Sequence, residues 1–244
     1  MEGIGTIPKI ALFGLEHWFF TLNYVTILTS LFIMGLLILF AVTVTKKLTK
    51  IPGRYQNIAE MLIAAFDQLT HDTLGKEFAR KYFPLIMTLF LFILLCNWIV
   101  VFPIPHFIHI HWNQEPTADV NTTLALGTIV FFVVHYSGIK VKGIKSYIWD
   151  YFEPAIEIKN IKIPNILMFP LNVIGEIAKV VSLSFRLFGN IMGGGIIFIV
   201  VSHLTKHLFV PILLNAFFVF FVGTVQAFVF AMLALTYIAV AISD

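Results

Sequence analysis

Arg186 lies in the middle of a long apolar stretch, where a charged side chain is costly. A charge at the centre of a bilayer costs ~2.5–3.5 kcal/mol on insertion scales, so such residues face a protein interior or a water-filled cavity. A guanidinium does not release its proton in proteins, but it attracts carboxylates and repels cations. The carboxylate nearest to it in the last two apolar stretches, Glu176, is ten residues away and on a different helical face. We therefore predict that the titrating partner of Arg186 belongs to another chain.

Polar and small residues surround Arg186 in a pattern that suits a hydrated, close-packed helix face. Ser182 and Asn190 lie four residues to either side, which places them on the same face of a helix. Four glycines remove side chains from the following turns: Gly189, Gly193, Gly194 and Gly195. Because small residues let helices approach closely in a membrane, we expect another helix to pack along this face.

Gln226 and Lys179 are further polar residues within the apolar C-terminal third. We expect Gln226 to hydrogen-bond with Arg186 across a helical hairpin, although an intramembrane glutamine also serves as a simple link between helices. Lys179 lies near one end of its apolar stretch. It could extend its ammonium group to the membrane surface, or pair with Glu176 three residues earlier.

The composition places these residues in a membrane protein. Of the 244 residues, 59% are hydrophobic and only 12% are charged, and the mean hydropathy is +0.93. A soluble domain of this length needs more polar surface, so we predict one all-α membrane domain over residues 1–244, with no cleaved signal peptide. The lone Cys96 lies in an apolar run, which predicts a packing role rather than a disulfide.

Five apolar stretches are long enough to cross a bilayer, which requires ~20 residues. We predict them at about 25–44, 83–102, 122–139, 166–204 and 211–242. The last two exceed a perpendicular crossing, so we expect a long, tilted hairpin. Between the first two, residues 57–73 predict an amphipathic helix on the membrane surface or against the other helices, with an ordinary connector as the alternative. Its expected apolar face carries Ile58, Met61, Leu62, Ala65, Phe66 and Leu69.

Most of the basic residues fall in two connections, between the first and second spans and between the third and fourth. These are Lys46, Lys47, Lys50, Arg54, Lys76, Arg80, Lys81, Lys140, Lys142, Lys145, Lys159 and Lys162. With five spans both connections lie on one side, and the positive-inside rule makes that side cytoplasmic. The N-terminus is then outside and the C-terminus inside. This pattern fits a bacterial inner membrane, with an organelle-encoded copy left open.

The segment SLSFRLFGN (182–190) resembles the signature of subunit a of the F-type ATP synthase membrane sector. The segments PTADVNTTLAL (116–126), YSGIKVKG (136–143) and TVQAFVF (224–230) resemble further parts of the same family, so the resemblance covers nearly the whole chain. It implies a non-catalytic stator beside a rotating ring of small hairpin subunits, each with one membrane carboxylate. It also implies a peripheral-stalk partner (subunit b), an indirect link to a soluble ATPase sector and a surrounding lipid bilayer. No nucleic-acid partner is expected.

The resemblance also implies roles for individual residues. Arg186 matches the arginine that separates two ion half-channels, Gln226 matches its glutamine partner, and Ser182 and Asn190 match the flanking polar face. The half-channels are assigned to Asn97, Asp119, Asn121, Glu176 and Lys179, with Asp119 and Asn121 near the outer one. The last two helices are expected to lie nearly horizontal against the ring. No tightly bound cofactor is expected, and the transported ion is H⁺ or Na⁺.

Two positions depart from the pattern of many proton-driven members, which carry an acid or histidine pair in the outer half-channel. Here those positions are Gly195 and Val219, and neither side chain can relay a proton. Water could fill the glycine space. Alternatively the ion is sodium, which needs only a hydrated path and extra oxygen ligands around the ring carboxylate. We favour sodium as the hypothesis from the sequence.

Other functional interpretations of the sequence have less support. His106, His109 and His111 could bind zinc or respond to pH, but a fourth ligand is not evident and a solvated loop explains them. A self-contained secondary transporter with Arg186 as its substrate anchor would commonly show internal repeats, and the two halves show none. A lipid-modifying enzyme would need convergent titratable groups, which this sequence scatters.

Overall fold

The computed structural model is largely helical, and five of its helical spans are long and apolar enough to cross a membrane. It describes residues 9–11, 21–46, 53–101, 115–152, 156–158, 161–163, 165–205 and 209–243. The helices are α1 (Tyr24–Lys46), α2 (Arg54–Trp98), α3 (Val120–Lys142), α4 (Ile144–Asp150), α5 (Met168–Leu204), α6 (Phe209–Ala216) and α7 (Gly223–Ile242). A π-helical segment, Phe217–Val222, joins α6 to α7 into one continuous span.

Two short antiparallel strand pairs accompany the helices and were not predicted from the sequence. β1 (Lys9–Ala11) pairs with β2 (Thr21–Asn23) immediately before α1. β3 (Ile156–Ile158) pairs with β4 (Ile161–Ile163) between α4 and α5. Both pairs lie outside the spans, so the predicted all-α membrane architecture with five crossings is confirmed.

α2 consists of two helical pieces that meet at Gly75. The backbone there has a φ of 72°, a conformation that glycine adopts readily and other residues do not. The second piece begins at Lys76, seven residues before the predicted start of the second span, and it contains Pro84. Hydropathy placed the boundary too late because the first two turns of this piece carry four charged residues.

The first piece of α2 is the predicted amphipathic helix, but its protein-facing side differs from the predicted apolar face. Phe66 is buried, with its ring centroid 4.5 Å from that of Phe90 and 6.3 Å from that of Phe228 in α7. Ile58 and Met61 are exposed. This helix therefore packs one flank against the spans and leaves most of its apolar side uncovered, as a helix that also contacts lipid would.

The bundle has two ends with different contacts. At one end the Thr26 hydroxyl at the start of α1 donates to Asp119 at the start of α3 (3.3 Å), and the Thr117 hydroxyl donates to Asn97 at the end of α2 (2.8 Å). At the opposite end Lys142 at the end of α3 pairs with Asp150 (2.9 Å). The described starts and ends of α1, α2 and α3 thus alternate as the predicted up-and-down crossing requires.

α5 and the α6–α7 span form an antiparallel hairpin, because their contacts run in opposite order along the chain. Lys179 lies over the ring of Tyr237 (5.6 Å), Asn190 bonds to Gln226, and Gly194 packs against Phe218. At 37 residues α5 is ~55 Å long, well beyond the ~30 Å hydrocarbon thickness. Such a helix fits a bilayer only when it is strongly tilted.

The core lies between α2, α3 and α7. It contains fully buried side chains from all three helices and the inner face of α5, including Ile86, Ile93, Leu187, Phe230 and Ile238. Cys96 is buried with Ile33 and Ile99 where α1 meets α2, which confirms its packing role. Most of α5 remains exposed, so this helix presents a long uncovered surface beside the bundle.

Candidate functional site

Arg186 lies on the uncovered side of α5, and its side chain is exposed. The buried side of the same helix carries Leu183, Ser184 and Leu187, which fixes its rotation. Within the described ranges, no hydrogen bond or ion pair engages the Arg186 guanidinium. Ser182 and Asn190 are exposed on the same helix, as their spacing predicts. A guanidinium in apolar surroundings without a partner agrees with the prediction that its carboxylate comes from another chain.

Gln226 does not pair with Arg186, contrary to the prediction from the sequence. Its side chain is buried (4% exposed), and its Oε1 atom accepts a hydrogen bond from Asn190 Nδ2 at 2.7 Å. The register of the hairpin places Gln226 opposite the turn that follows Arg186, so the nearer amide takes the bond. The consequence is a polar bridge between α5 and α7 that leaves the guanidinium free.

A cavity of about 220 Å³, lined mainly by apolar residues and glycines but with five polar side chains, opens beside this amide bridge. Its lining comes from the end of α2, the far half of α5 and the π-helical segment with its neighbours. The polar side chains in the lining are those of Asn97, Glu115, Asn190, Asn215 and Gln226. Gly195 and Val219, the two positions that depart from the proton-driven pattern, line the same cavity. A side chain at position 195 would find open space, since an added Cβ would meet no atom within 4 Å.

Asn97 holds one wall of this cavity in place. Its Nδ2 atom donates to the Gly223 carbonyl oxygen (2.9 Å), and its Oδ1 atom accepts from the Thr117 hydroxyl (2.8 Å). Gly223 directly follows the π-helical segment. The wider π turn changes which backbone carbonyl oxygens lack a hydrogen bond within the helix. Gly223 allows this close approach, because an added Cβ would lie a tight 3.1 Å from Asn97 Cβ and would require a small shift.

Asp119 and Asn121 do not line this cavity. Asp119 is the N-cap of α3: its Oδ1 atom accepts from the Asn121 backbone N–H (2.9 Å), while its other oxygen accepts from the Thr26 hydroxyl. The Asn121 side chain is exposed. In the described structure Asp119 caps α3 and ties α1 to α3, and the half-channel role of these two residues stays a prediction.

A second cavity, of about 390 Å³, lies at the opposite end of α5. Glu176 and Lys179 line it, and they form an ion pair of 2.6 Å, as their spacing of three residues predicts. The remaining polar residues of its wall were not predicted: Lys142, Tyr147, Asp150, Tyr151, Asn172, Tyr237 and Ser243. Burial raises the pKa of Tyr147 and Tyr151 above the usual range, so both phenols keep their protons near neutral pH.

Residues in the glycine-rich stretch serve two different purposes. Gly194 is buried against α6–α7, where an added Cβ would lie 3.0 Å from Phe218 Cδ1. At Gly189, Gly193 and Gly195 an added Cβ would meet nothing within 4 Å. Gly194 therefore favours close packing of the hairpin, Gly189 and Gly193 leave open space on the surface of α5, and Gly195 leaves open space in the cavity.

Sequence reasoning missed Glu115 and Asn215. Glu115 precedes the PTADVN segment and is, with Asp119, one of two acids between the second and third spans, which was the available signal. Asn215 interrupts an apolar run, as Gln226 does. The histidines His106, His109 and His111 lie outside the described residues.

The fold and site define a multi-pass membrane protein in which an exposed guanidinium lies between two cavities along one helix. The profile of the family ATP synthase A chain matches residues 26–239. Proteins named ATP synthase subunit a are similar over most of the chain: that of Acidothermus cellulolyticus is 34% identical (98% of this chain, 82% of the relative). Those of Helicobacter acinonychis and Moorella thermoacetica are 36% and 37% identical, covering 94% and 88% of this chain and 92% and 89% of the relatives.

The chain therefore belongs to the ATP synthase A chain family. Its function is that of the ion-translocating stator subunit of an F-type ATP synthase, which agrees with the function that the sequence motifs imply.

Replacing Gln226 with Leu should lower gradient-driven ATP synthesis several-fold without abolishing it. Leu removes the acceptor of Asn190 Nδ2, and a lost hydrogen bond is worth about 1 kcal/mol, or roughly fivefold in an equilibrium. The rate would be measured in membrane vesicles beside Thr236→Val, which removes an exposed α7 hydroxyl bonded only to its own helix at Met232. Equal rates in the two variants would contradict a role for the amide bridge.

Proposed function

We propose that Arg186 is the fixed charge that ionises a carboxylate on a neighbouring rotor ring, and that the two cavities are the ion half-channels on either side of it. The observation that carries this proposal is the position of Arg186 on α5. Glu176 and Lys179 of one cavity precede it by seven to ten residues, and Asn190 and Gly195 of the other follow it by four to nine. At a rise of 1.5 Å per residue, each cavity begins within roughly 6–15 Å of Arg186 along the helix.

The exposed face of α5 supports a partner that supplies the carboxylate. An arginine beside a carboxyl group lowers the carboxyl pKa by about 1–3 units, because the charged form gains an opposite charge nearby. A ring carboxylate that arrives at Arg186 would therefore release its cation, and the guanidinium would repel any cation that tried to pass directly between the cavities. The proton or sodium ion would instead leave through the cavity on the other side.

The orientation follows from the distribution of charge. The cavity at Glu115 lies at the end of the bundle where α1 and α3 begin, away from the basic residues Lys46, Lys140 and Lys142 that end these helices. By the positive-inside rule this cavity faces outside and the Glu176 cavity faces the cytoplasm of a bacterial cell. In this arrangement the chain carries out no nucleotide chemistry, which belongs to the soluble sector.

Copurification tests this proposal. The tagged chain should come with a ring of small hairpin subunits, a peripheral-stalk subunit and the soluble ATPase sector. The reconstituted complex should make ATP from an ion gradient, whereas the isolated chain in liposomes should move no ion. Transport of an ion or solute by the isolated chain would favour a secondary transporter and would contradict the stator role.

A further inference from the structure

Glu115 is the carboxylate in the lining of the 220 Å³ cavity. The other polar groups of that wall are amides, which can hold water but cannot exchange a proton near neutral pH. The cavity has room for several water molecules, since a water occupies about 30 Å³ in the liquid. A carboxyl group that lines a cavity large enough for water can take up and release protons.

The backbone around Glu115 is held firmly. Its carbonyl oxygen accepts from the Ala118 N–H (2.9 Å) in the 3-10 turn Pro116–Ala118. Thr117 in this turn is fully buried and donates to Asn97, which in turn binds the Gly223 carbonyl. Glu115 therefore begins a turn that is tied to α2 directly and to α7 through Asn97.

The surroundings of Glu115 favour proton exchange near neutral pH. Burial raises the pKa of Glu115 to about 7, because the ionised carboxylate loses hydration. The turn packs against α1, α2, α3 and α5. From these helices the Cys96 thiol is the described ionisable group that interacts electrostatically with Glu115. The other ionisable groups on the nearby parts of these elements do not line the cavity: Tyr24, Asp119, Arg186 and His203.

We infer that Glu115 is the proton-exchanging residue of the outer half-channel and that the transported ion is therefore H⁺. The inference rests on the proposed function. In each cycle the protonated Glu115 carboxyl breaks its O–H bond and passes the proton through cavity water to an ionised rotor carboxylate, which gains an O–H bond. The Glu115 carboxylate then recovers a proton from the outer aqueous phase. Glu115 thus supplies, from the turn before α3, the titratable group that Gly195 and Val219 cannot.

The test uses the whole complex in membrane vesicles, with ATP synthesis driven by a proton gradient in the absence of sodium. Glu115→Gln should reduce the rate by about 10-fold or more, as expected for loss of a proton-transfer group. In the wild type, at constant total driving force, the rate should fall as the pH on the Glu115 side rises through 7, because the protonated donor is depleted. Glu115→Gln should lose this pH dependence. Glu77→Gln is the matched control: it removes an exposed charge near the start of the second piece of α2, far from Glu115 in the sequence, and should leave both the rate and its pH dependence unchanged.

Two further variants keep the test decisive if Glu115→Gln assembles poorly. Glu115→Asp retains a carboxyl group of slightly lower intrinsic pKa, so its pH midpoint should move down by about half a unit. Gly195→Glu placed in the Glu115→Gln background should restore part of the rate, because position 195 lines the same cavity and has open space for a side chain.

The outcomes separate this inference from the proposed function. The role of Glu115 would be overturned if Glu115→Gln made ATP at the wild-type rate with an unchanged pH profile. An unmoved pH midpoint in Glu115→Asp would overturn it as well. Synthesis in the wild type that follows a sodium gradient would overturn the choice of ion. In either case loss of coupling in Arg186→Ala would still support the proposed role of Arg186, whereas retained coupling in Arg186→Ala would contradict the proposed function itself.

Discussion

Arg186→Ala should reduce gradient-driven ATP synthesis by about 100-fold or more in a complex that still assembles. The guanidinium is exposed and bonds to no described residue of its own chain, so its removal leaves the fold of the subunit intact. What is lost is the charge that ionises the rotor carboxylate. An effect of about 1–3 pK units on that group corresponds to about 10- to 1000-fold in its ionised fraction. Synthesis would be measured in vesicles, with subunit content determined in the same preparations.

Two matched variants distinguish the effect of losing the charge from the effect of losing side-chain volume. Arg186→Lys keeps a positive charge but loses the planar, bidentate fork, so we expect a rate between wild type and Arg186→Ala. Ile177→Ala truncates an exposed side chain nine residues earlier on the opposite face of α5 and should have no effect on coupling. Coupled synthesis at the wild-type rate in Arg186→Ala would remove the basis of the proposed mechanism.

Gly127→Leu should prevent stable packing of α3 against α5, and with it assembly. Any side chain at position 127 enters the space of Ser184 Oγ, and the Val180 carbonyl oxygen lies 3.3 Å from where the Cβ would be. Overpacking of this kind costs about 1–3 kcal/mol or more, because α5 must move as a unit. We expect a large drop in the amount of assembled complex and a lower thermal unfolding midpoint of what remains.

The matched control for this prediction is Gly35→Leu. Gly35 lies on exposed α1, and an added Cβ there would meet nothing within 4 Å. Removing the Ser184 hydroxyl, which bonds only to the Val180 carbonyl of its own helix, should partly rescue the milder Gly127→Ala variant. Similar losses in Gly127→Leu and Gly35→Leu would show that the α3–α5 contact is not the cause.

The positions of the spans could be predicted from the sequence because hydropathy is a local property. The predicted stretches 25–44 and 122–139 lie within α1 and α3, and the last two match α5 and the α6–α7 span closely. The second span was predicted least well. Its first turns carry charged residues, so hydropathy did not indicate that the helix starts at Lys76. The break at Gly75 depends on a backbone conformation that hydropathy does not encode.

The partners of the polar residues could not be predicted, because they depend on how two helices are set against each other. Asn190 and Arg186 share a face of α5, yet the register of the hairpin brings Gln226 to Asn190. The π-helical segment before Gly223 contributes to this outcome, since each π turn closes over one residue more than an α turn and rotates the residues that follow. No apolar pattern in the sequence marks that segment.

Arg186 illustrates what the sequence by itself determined. A guanidinium in an apolar helix is costly and keeps its proton, so its isolation among apolar residues was enough to predict an external carboxylate partner. The tertiary structure decided what surrounds it: two cavities along α5, capping roles for Asp119, and Glu115 in the wall beside Gly195. The physical reason is that the charge of a side chain, and the free-energy cost of placing that charge in a membrane, depend on the residue and its own segment. A cavity, by contrast, is formed by side chains from distant segments, and only packing brings those together.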